Sequence, residues 1–174
     1  PAEIRALAMD PQTPNTVYAA SWREGILKTT NGWAFNAANI GITDMNATSL
    51  AIHPQRPSFV YAGTYGGGIF TTANSGTSWE PLNDGLSDLN VDALALSPSA
   101  PTRLYASTSD GHAWFYTLPS PVQISVATNP SGRRFWADGV EYSTSQTFSW
   151  DQGSSHTISV DSPQESNWTR YVFA

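Results

Sequence analysis

The sequence contains no cysteine and only one lysine, Lys28, among its 174 residues. Without cysteine the chain forms no disulfide, holds no thiolate-ligated metal and carries no c-type haem. No apolar run reaches the length of about 18 residues that a membrane-spanning helix needs, so we expect no membrane span. The net charge is −6, and so acidic a chain lacks the basic face that a nucleic acid requires.

Charged residues are also sparse, at 13% of the chain. Hydrophobic residues at 40% and aromatic residues at 12% are enough to build a core, which argues against disorder. Ser, Thr, Asn, Gly and Pro are plentiful, a balance typical of short strands joined by many turns. The chain begins at Pro1 rather than methionine, so we expect a mature or excised product and leave open whether a signal segment preceded it.

Three segments of the chain repeat the same order of residue types, at a period of 43 and then 44 residues. The equivalent positions include Pro11, Pro54 and Pro98, then Pro14, Pro57 and Pro101, then Tyr18, Tyr61 and Tyr105. A fixed period in this range, with four short strand-like runs per unit, is typical of the blades of a β-propeller. The sequence therefore predicts an all-β partial propeller of two complete four-stranded blades and part of a third.

Each repeat opens with an apolar run that ends near a proline: Ile4–Met9, Ala47–Ile52 and Val91–Leu96. We expect these runs to be the innermost blade strands, apolar on both faces because neighbouring blades cover them. A turn with two prolines follows, and then a second strand that carries a small residue after the repeated tyrosine. These small residues, Ala19, Ala62 and Ala106, predict close packing of adjacent blades.

The turn after the third strand of the second repeat reads TANSGTSW. It resembles the Asp-box of bacterial neuraminidase (sialidase-type) repeats, Ser/Thr-x-Asp-x-Gly-x-Thr-Trp, with Asn in place of Asp. The residues that fill the pattern are Thr72, Asn74, Gly76, Ser78 and Trp79. The first copy, TTNGWAF, is one residue shorter and has Phe35 in the aromatic place, and the third copy lacks the motif. We expect the box to be structural: Asn bonds forward to backbone N–H groups, Gly takes positive φ, and Trp fills the blade base.

Residues 3 to 116 are together similar to the repeats of sialidases, sortilin-type domains, xyloglucanase-type glycoside hydrolases and photosystem-assembly propellers. The resemblance implies a propeller fold with the boxes on the face opposite the ligand pocket. These families share blades while differing in function, so the resemblance specifies a fold and leaves the activity open.

The period breaks at Pro119–Pro121, which predicts a domain boundary between residues 1–118 and 119–174. Alternating runs separated by turn residues predict a small antiparallel β-sandwich in the second domain. The predicted strands are Val122–Ala127, Arg133–Ala137, Gln146–Trp150 and Thr157–Val160. The order NPSG, then DG, then G-x-x-H-T-I resembles the PEGA-like modules of bacterial surface proteins.

Candidate ligand-binding residues lie in the variable turns after the second strand of each repeat. They are Trp22, Arg23, Glu24, Tyr65, Asp110 and His112. We expect the connectors that carry Asp44 and Asp88 to lie beside these turns. Aromatic rings beside carboxylates suit the stacking and hydrogen bonding of sugars. The alternative is that Trp22 packs between blades and the charged side chains are simply solvated.

The sequence predicts no catalytic residues, no metal site and no cofactor. The three histidines fall in different elements without a ligand spacing, and Asp84, Asp88 and Asp92 lack the order of an EF-hand loop. No G-x-S-x-G elbow, P-loop or dinucleotide fingerprint occurs. A glycosidase also needs two carboxylates placed across the scissile bond, and no such pair stands out, although an active site in missing blades remains open.

Two blades and part of a third do not close a propeller, which has roughly four to eight blades. Three interpretations stay open: a fragment of a longer protein, completion by oligomerisation or strand exchange, and capping by the C-terminal module. We expect a secreted or cell-surface bacterial protein without catalysis, acting in adhesion, scaffolding or filament assembly. Its partners would be further copies or neighbouring subunits. The alternative is a fragment of a glycan-binding or carbohydrate-active propeller.

Overall fold

The structure, a computed structural model, describes residues 3–98, 103–129, 131–150 and 154–160, and the backbone of residues 164–166 and 169–171. The described residues form strands and turns without a helix, so no helix among them is long and apolar enough to cross a bilayer. The chain divides into two compact units, Pro1–Leu118 and Pro119–Ala174. The all-β fold with open sheets is that of a partial propeller followed by a small antiparallel module.

Unit 1 contains three consecutive antiparallel blades, each a meander in chain order. Blade 1 consists of β1 (Glu3–Met9), β2 (Val17–Trp22), β3 (Gly25–Thr29) and β4 (Asn36–Ala37). Blade 2 consists of β5 (Ala47–Ile52), β6 (Val60–Thr64), β7 (Ile69–Thr72) and β8 (Glu80–Pro81). Blade 3 has three strands, β9 (Val91–Leu96), β10 (Arg103–Thr108) and β11 (Ala113–Thr117). The prediction of two complete blades and part of a third is confirmed.

The core of unit 1 lies between the blades. One cluster joins blades 1 and 2 and includes Tyr18, Ala20, Ile26, Val60, Phe70 and Trp79. A second joins blades 2 and 3 and includes Tyr61, Ile69, Val91 and Leu104. The small residues after the repeated tyrosine are all buried, at 2% exposure for Ala19, 0% for Ala62 and 4% for Ala106, because the blades approach closely there.

The expectation that the first strand of every blade is covered on both faces holds only for β5, whose residues are all buried or half-buried. In β1, Leu7 is 65% and Met9 is 58% exposed, because no described blade precedes blade 1. Several residues of β9 are exposed as well, since no described blade follows blade 3. The repeat therefore ends in two open apolar faces.

The first strand of every blade carries a β-bulge at the same place. The register of each pair skips one residue: Arg5 in β1, Thr48 in β5 and Asp92 in β9. A bulge leaves an extra residue unpaired and turns its side chain in a new direction. In blade 2 the Thr48 hydroxyl donates to the Gly63 carbonyl at 3.0 Å and lies 2.6 Å from the Val91 carbonyl of blade 3.

Unit 2 contains β12 (Val122–Val126), β13 (Phe135–Ala137), β14 (Val140–Tyr142), β15 (Gln146–Trp150), β16 (Ile158–Ser159), β17 (Gln164–Ser166) and β18 (Thr169–Tyr171). These strands form the sheets β12-β15, β14-β13-β16 and β17-β18. A row of aromatic contacts joins the first two sheets, Phe135 to Tyr142, Tyr142 to Phe148, and Phe148 to Trp150. Phe135 is 1% exposed and forms the centre of this small core.

Candidate functional site

The turns between the second and third strands lie at one end of the blades, and the connectors between blades run along the same end. The Gly25 N–H donates to the Met45 carbonyl at 2.9 Å, and the Tyr65 N–H donates to the Asn46 carbonyl at 2.9 Å. The Leu89 carbonyl accepts from Gly66 at 3.0 Å and from Gly68 at 2.9 Å, and the Asn90 carbonyl accepts from Ser109 at 3.0 Å. We call this the turn surface, formed by residues 22–25, 41–46, 65–68, 85–90 and 109–112.

A repeated asparagine fixes the first two turns of the turn surface. Asn39 accepts a hydrogen bond from the Ile26 N–H at 2.7 Å, and its amide donates to the Glu24 carbonyl at 2.8 Å. Asn83 makes the same two bonds to Ile69 and Gly67, at 2.8 and 3.0 Å. One side chain satisfies both a backbone donor and a backbone acceptor of the turn. The asparagine of each repeat therefore stabilises the turn of the same repeat.

Trp22 and Tyr65 form an aromatic pair on the turn surface. They occupy equivalent positions in blades 1 and 2, and their ring centroids lie 5.7 Å apart at 53°. Tyr65 is 46% exposed and Trp22 is half-buried. Trp22 thus contacts the neighbouring blade, while part of the pair stays open to solvent.

A cation completes this pair, and the sequence did not single it out. The guanidinium of Arg5 lies 5.3 Å from the centroid of the Trp22 ring and pairs with Glu3 at 3.0 Å. Arg5 is the bulge residue of β1, which is why it departs from the alternation of its strand. Arg5 could not be identified from the sequence, because the residue types of β1 do not reveal where its bulge lies.

Arg23 and Glu24 form the exposed tip of the first turn. Arg23 has φ of +79°, a left-handed conformation that non-glycine residues adopt rarely. The equivalent turn of blade 2 contains three glycines, and each of them lies too close to a neighbouring side chain to carry a Cβ. A Cβ on Gly67 would come within 2.8 Å of the Asp44 Cβ, so the Asp44 connector packs directly against the turn backbone.

Asp110 and His112 belong to a second polar cluster on the turn of blade 3. The Thr108 hydroxyl donates to one Asp110 oxygen at 2.7 Å, and the Ser87 hydroxyl donates to the other at 3.0 Å. His112 Nδ1 lies 3.0 Å from that second oxygen. The Thr108 hydrogen bond, followed by those from the His112 N–H and from Ser87, lowers the Asp110 pKa well below its usual range. Asp110 is therefore a fixed carboxylate, tied to the connector that precedes its blade.

The histidines serve turns and loops. His53 is 3% exposed, and its Nδ1 accepts hydrogen bonds from the N–H groups of Gln55 and Arg56 in the proline turn. His156 stacks on Trp150 at 4.1 Å and pairs with Asp138 at 2.6 Å. Within the part of the chain that the structure describes, no three His, Cys, Asp or Glu side chains gather in a way that could hold a metal ion.

The turn at Thr72–Trp79 lies at the opposite end of blade 2 from the turn surface. Asn74 Oδ1 accepts from the Thr72 hydroxyl at 2.8 Å and from the Ser78 N–H at 3.0 Å, and the Gly76 N–H donates to the Thr72 hydroxyl at 3.1 Å. Trp79 is 3% exposed, and its indole N–H donates to the Ala38 carbonyl of blade 1 at 2.8 Å. All these contacts are local or join blades. The identification of the turn with the Asp-box stays a prediction.

The first copy of the turn keeps the same bonds without the packing. Asn31 Oδ1 accepts from the Thr29 hydroxyl at 2.9 Å and from the Trp33 N–H at 2.9 Å. Phe35, which has the aromatic place in this copy, is 41% exposed, whereas Trp79 is buried. The physical reason is that Trp79 packs on the preceding blade, and blade 1 has no described predecessor.

Comparisons with known proteins show which fold the chain resembles. No protein-family model and no curated protein matches it. An ancestral GH74 enzyme of known structure shares 20% identity with a TM-score of 0.54, over 86% of this chain and 18% of that one. The GH74 xyloglucanase from Xanthomonas campestris shares 14% identity with a TM-score of 0.50, over 87% of this chain and 29% of that one.

These likenesses agree with the propeller-type fold and with the predicted xyloglucanase-like resemblance at that level. The chain spans 18% and 29% of the two solved chains that it matches. The predicted resemblance of residues 119–174 to PEGA-like modules finds no support among them and stays a prediction.

Proposed function

We propose that unit 1 is part of a glycan-binding propeller whose contact surface is the turn surface. The observation that carries this proposal is the Trp22–Tyr65 pair, with rings 5.7 Å apart and Tyr65 46% exposed. Aromatic rings offer sugars an apolar face to stack on, and nearby polar groups fix their orientation. The fold-level likeness to GH74 enzymes supports a carbohydrate ligand over the adhesion role that the sequence first favoured.

The proposed ligand class is a neutral β-glucan of the xyloglucan type. One fold neighbour is a xyloglucanase, and charged side chains on and beside the turn surface already have partners within the chain. Arg5 is already paired with Glu3, and Asp110 is already held by Ser87 and Thr108. Side chains fixed in this way offer directed hydrogen bonds to hydroxyl groups and lose little conformational freedom on binding. We assign binding and no bond cleavage to this surface.

The test is a binding titration of the full chain with xyloglucan oligosaccharides by calorimetry. We expect Trp22→Ala and Tyr65→Ala each to weaken binding by about tenfold or more, since a lost stacking ring is worth ~1.4 kcal/mol or more. Trp33→Ala is the matched control, because Trp33 is 89% exposed in the turn at the opposite end of blade 1. Unchanged affinity in both test variants, with folding intact, would remove the proposed surface.

A further inference from the structure

Two contacts in unit 2 connect a serine, a histidine and an aspartate in series. Ser154 Oγ lies 2.8 Å from His156 Nε2, and His156 Nδ1 lies 2.6 Å from Asp138 Oδ2. A hydroxyl within hydrogen-bond reach of an imidazole, which a third group orients, is the diagnostic arrangement of an activated nucleophile. The three side chains belong to the turn between β13 and β14 and to the segment that leads into β16, far along the chain from the turn surface.

Asp138 is fixed as the orienting carboxylate of this series. Its Oδ1 accepts from the Thr157 N–H at 2.9 Å, and its own N–H donates to the Thr157 carbonyl at 2.9 Å. The Thr157 hydrogen bond, followed by that of His156, lowers the Asp138 pKa below its usual range. One oxygen of an ionised carboxylate is thus anchored to the backbone, and the other faces the imidazole.

The His156 ring is held on its face as well as at its edge. It stacks on Trp150, with ring centroids 4.1 Å apart and planes at 6°, and its side chain is 24% exposed. A carboxylate only accepts hydrogen bonds, so Nδ1 carries the proton that faces Asp138. Nε2 of the neutral ring then accepts from the Ser154 hydroxyl. This tautomer is the one that can take a proton from a serine during its attack.

The surroundings of Ser154 admit a substrate and offer a backbone donor. Ser154 is exposed, so an ester of a small molecule or an ester displayed on a polymer can reach it. The N–H of the next residue, Ser155, makes no hydrogen bond within the described part of the chain. The N–H after the nucleophile is a donor from which hydrolases build an oxyanion hole. Ser155 can therefore donate to the negative charge that develops on the ester oxygen.

We propose that Ser154, His156 and Asp138 form a nucleophile, base and orienting group that hydrolyse accessible carboxylic esters. Ser154 Oγ attacks the carbonyl carbon while its proton passes to His156 Nε2. The bond to the alcohol oxygen then breaks, the alcohol leaves with that proton, and the acyl group remains on Ser154. Water attacks the acyl group in the same way, which releases the carboxylic acid and restores the serine. This activity belongs to unit 2 and goes beyond the glycan binding proposed for unit 1.

The first experiment treats the full chain with a fluorophosphonate probe and locates the modification by peptide mass spectrometry. The probe forms a phosphorus–oxygen bond to an activated serine as fluoride leaves, so we expect modification at Ser154. Ser159 is the internal control, because it is exposed in β16 and is not bonded to a histidine. It should remain unmodified.

The second experiment measures hydrolysis of p-nitrophenyl acetate by the full chain and three variants. We expect Ser154→Ala to lower the rate by about tenfold or more, while Ser159→Ala leaves it unchanged. Asp138→Asn keeps an acceptor for the Thr157 N–H but no longer fixes the histidine tautomer. Because Asp138 acts through His156 and does not touch the ester, kcat should fall with KM unchanged.

Two results would overturn the proposal. One is the absence of modification at Ser154 in the unmodified chain, a result that needs no variant to fold. The other is unchanged hydrolysis by Ser154→Ala when circular dichroism shows an intact fold. Glycan binding is read in a separate titration of unit 1 residues, so either proposal can fail without the other.

Discussion

At the scale of single residues, the position before the first proline of each repeat carries three different types of hydrogen-bond acceptor. Asp10, His53 and Ser97 each precede the first proline of a repeat, and each accepts hydrogen bonds from the backbone that follows. Asp10 Oδ1 accepts from Gln12 and Thr13, His53 Nδ1 accepts from Gln55 and Arg56, and the Ser97 hydroxyl accepts from Arg103. The position demands an acceptor and is indifferent to its charge.

The charged member of this set predicts a dependence of stability on pH. Burial acts to raise the Asp10 pKa, but hydrogen bonds from the Thr13 hydroxyl and from the Gln12 and Thr13 N–H groups outweigh it and lower the pKa below 3.8. The ionised carboxylate thus stabilises the fold above pH 3.8, and this stabilisation is lost as the pH falls through the folded pKa. We expect Asp10→Asn to lower the free energy of unfolding by about 1 kcal/mol at neutral pH. The difference from wild type should shrink as the pH falls through the pKa of the folded state.

Thermal unfolding between neutral pH and about pH 2 measures this effect, with wild type and variant curves converging in acid. Asp84→Asn removes the same charge from an exposed connector residue and serves as the control. A constant gap between wild type and Asp10→Asn across the whole range would contradict the assignment.

At the scale of the element, one side chain, Asn74, makes three of the hydrogen bonds that stabilise the turn Thr72–Trp79. Asn74 Oδ1 accepts from Thr72 and from the Ser78 N–H, while its amide donates to the Ser78 hydroxyl at 2.9 Å. Asn74→Ala removes all three bonds, and we expect a loss of about 1–3 kcal/mol in the free energy of unfolding. Asn74→Asp keeps the acceptor oxygen and should cost less. Urea unfolding of the three proteins measures both values, and equal losses would show that the acceptor is unimportant.

The elements could largely be predicted from the sequence, but their irregularities could not. The periodic apolar runs gave β5, β9 and β15 with the observed bounds, because burial imposes a pattern on residue types. The strand β14 was missed, although the Asp138–Gly139 turn before it, with φ of +50° and +81°, is a strong hairpin signal. The bulge at Arg5 leaves no such signal, since a bulge changes the direction of a side chain and does not require a particular residue type.

At the scale of the whole molecule, the sequence identified the turns that form the turn surface but not the groups that meet there. The 43- and 44-residue period placed Trp22 and Tyr65 at equivalent positions, and their contact follows from the closeness of the blades. The pairing of Ser87 with Asp110 joins a connector to the following blade, and only the register of two blades determines it. The exposure of Phe35 likewise depends on which blades are neighbours, which no local pattern encodes.

The backbone hydrogen bonds between turns and connectors have a consequence for motion. Loops at the end of a blade ordinarily exchange their amide protons quickly, yet here the N–H groups of Gly25, Tyr65, Gly66, Gly68 and Ser109 are engaged by connector carbonyls. We expect these five amides to exchange with deuterium as slowly as those of the strands, and more slowly than the exposed tip at Arg23 and Glu24. A surface this stiff has little conformational entropy to lose when a stiff polymer settles on it. Fast exchange at all five amides would mean that the surface is ordered only by its ligand.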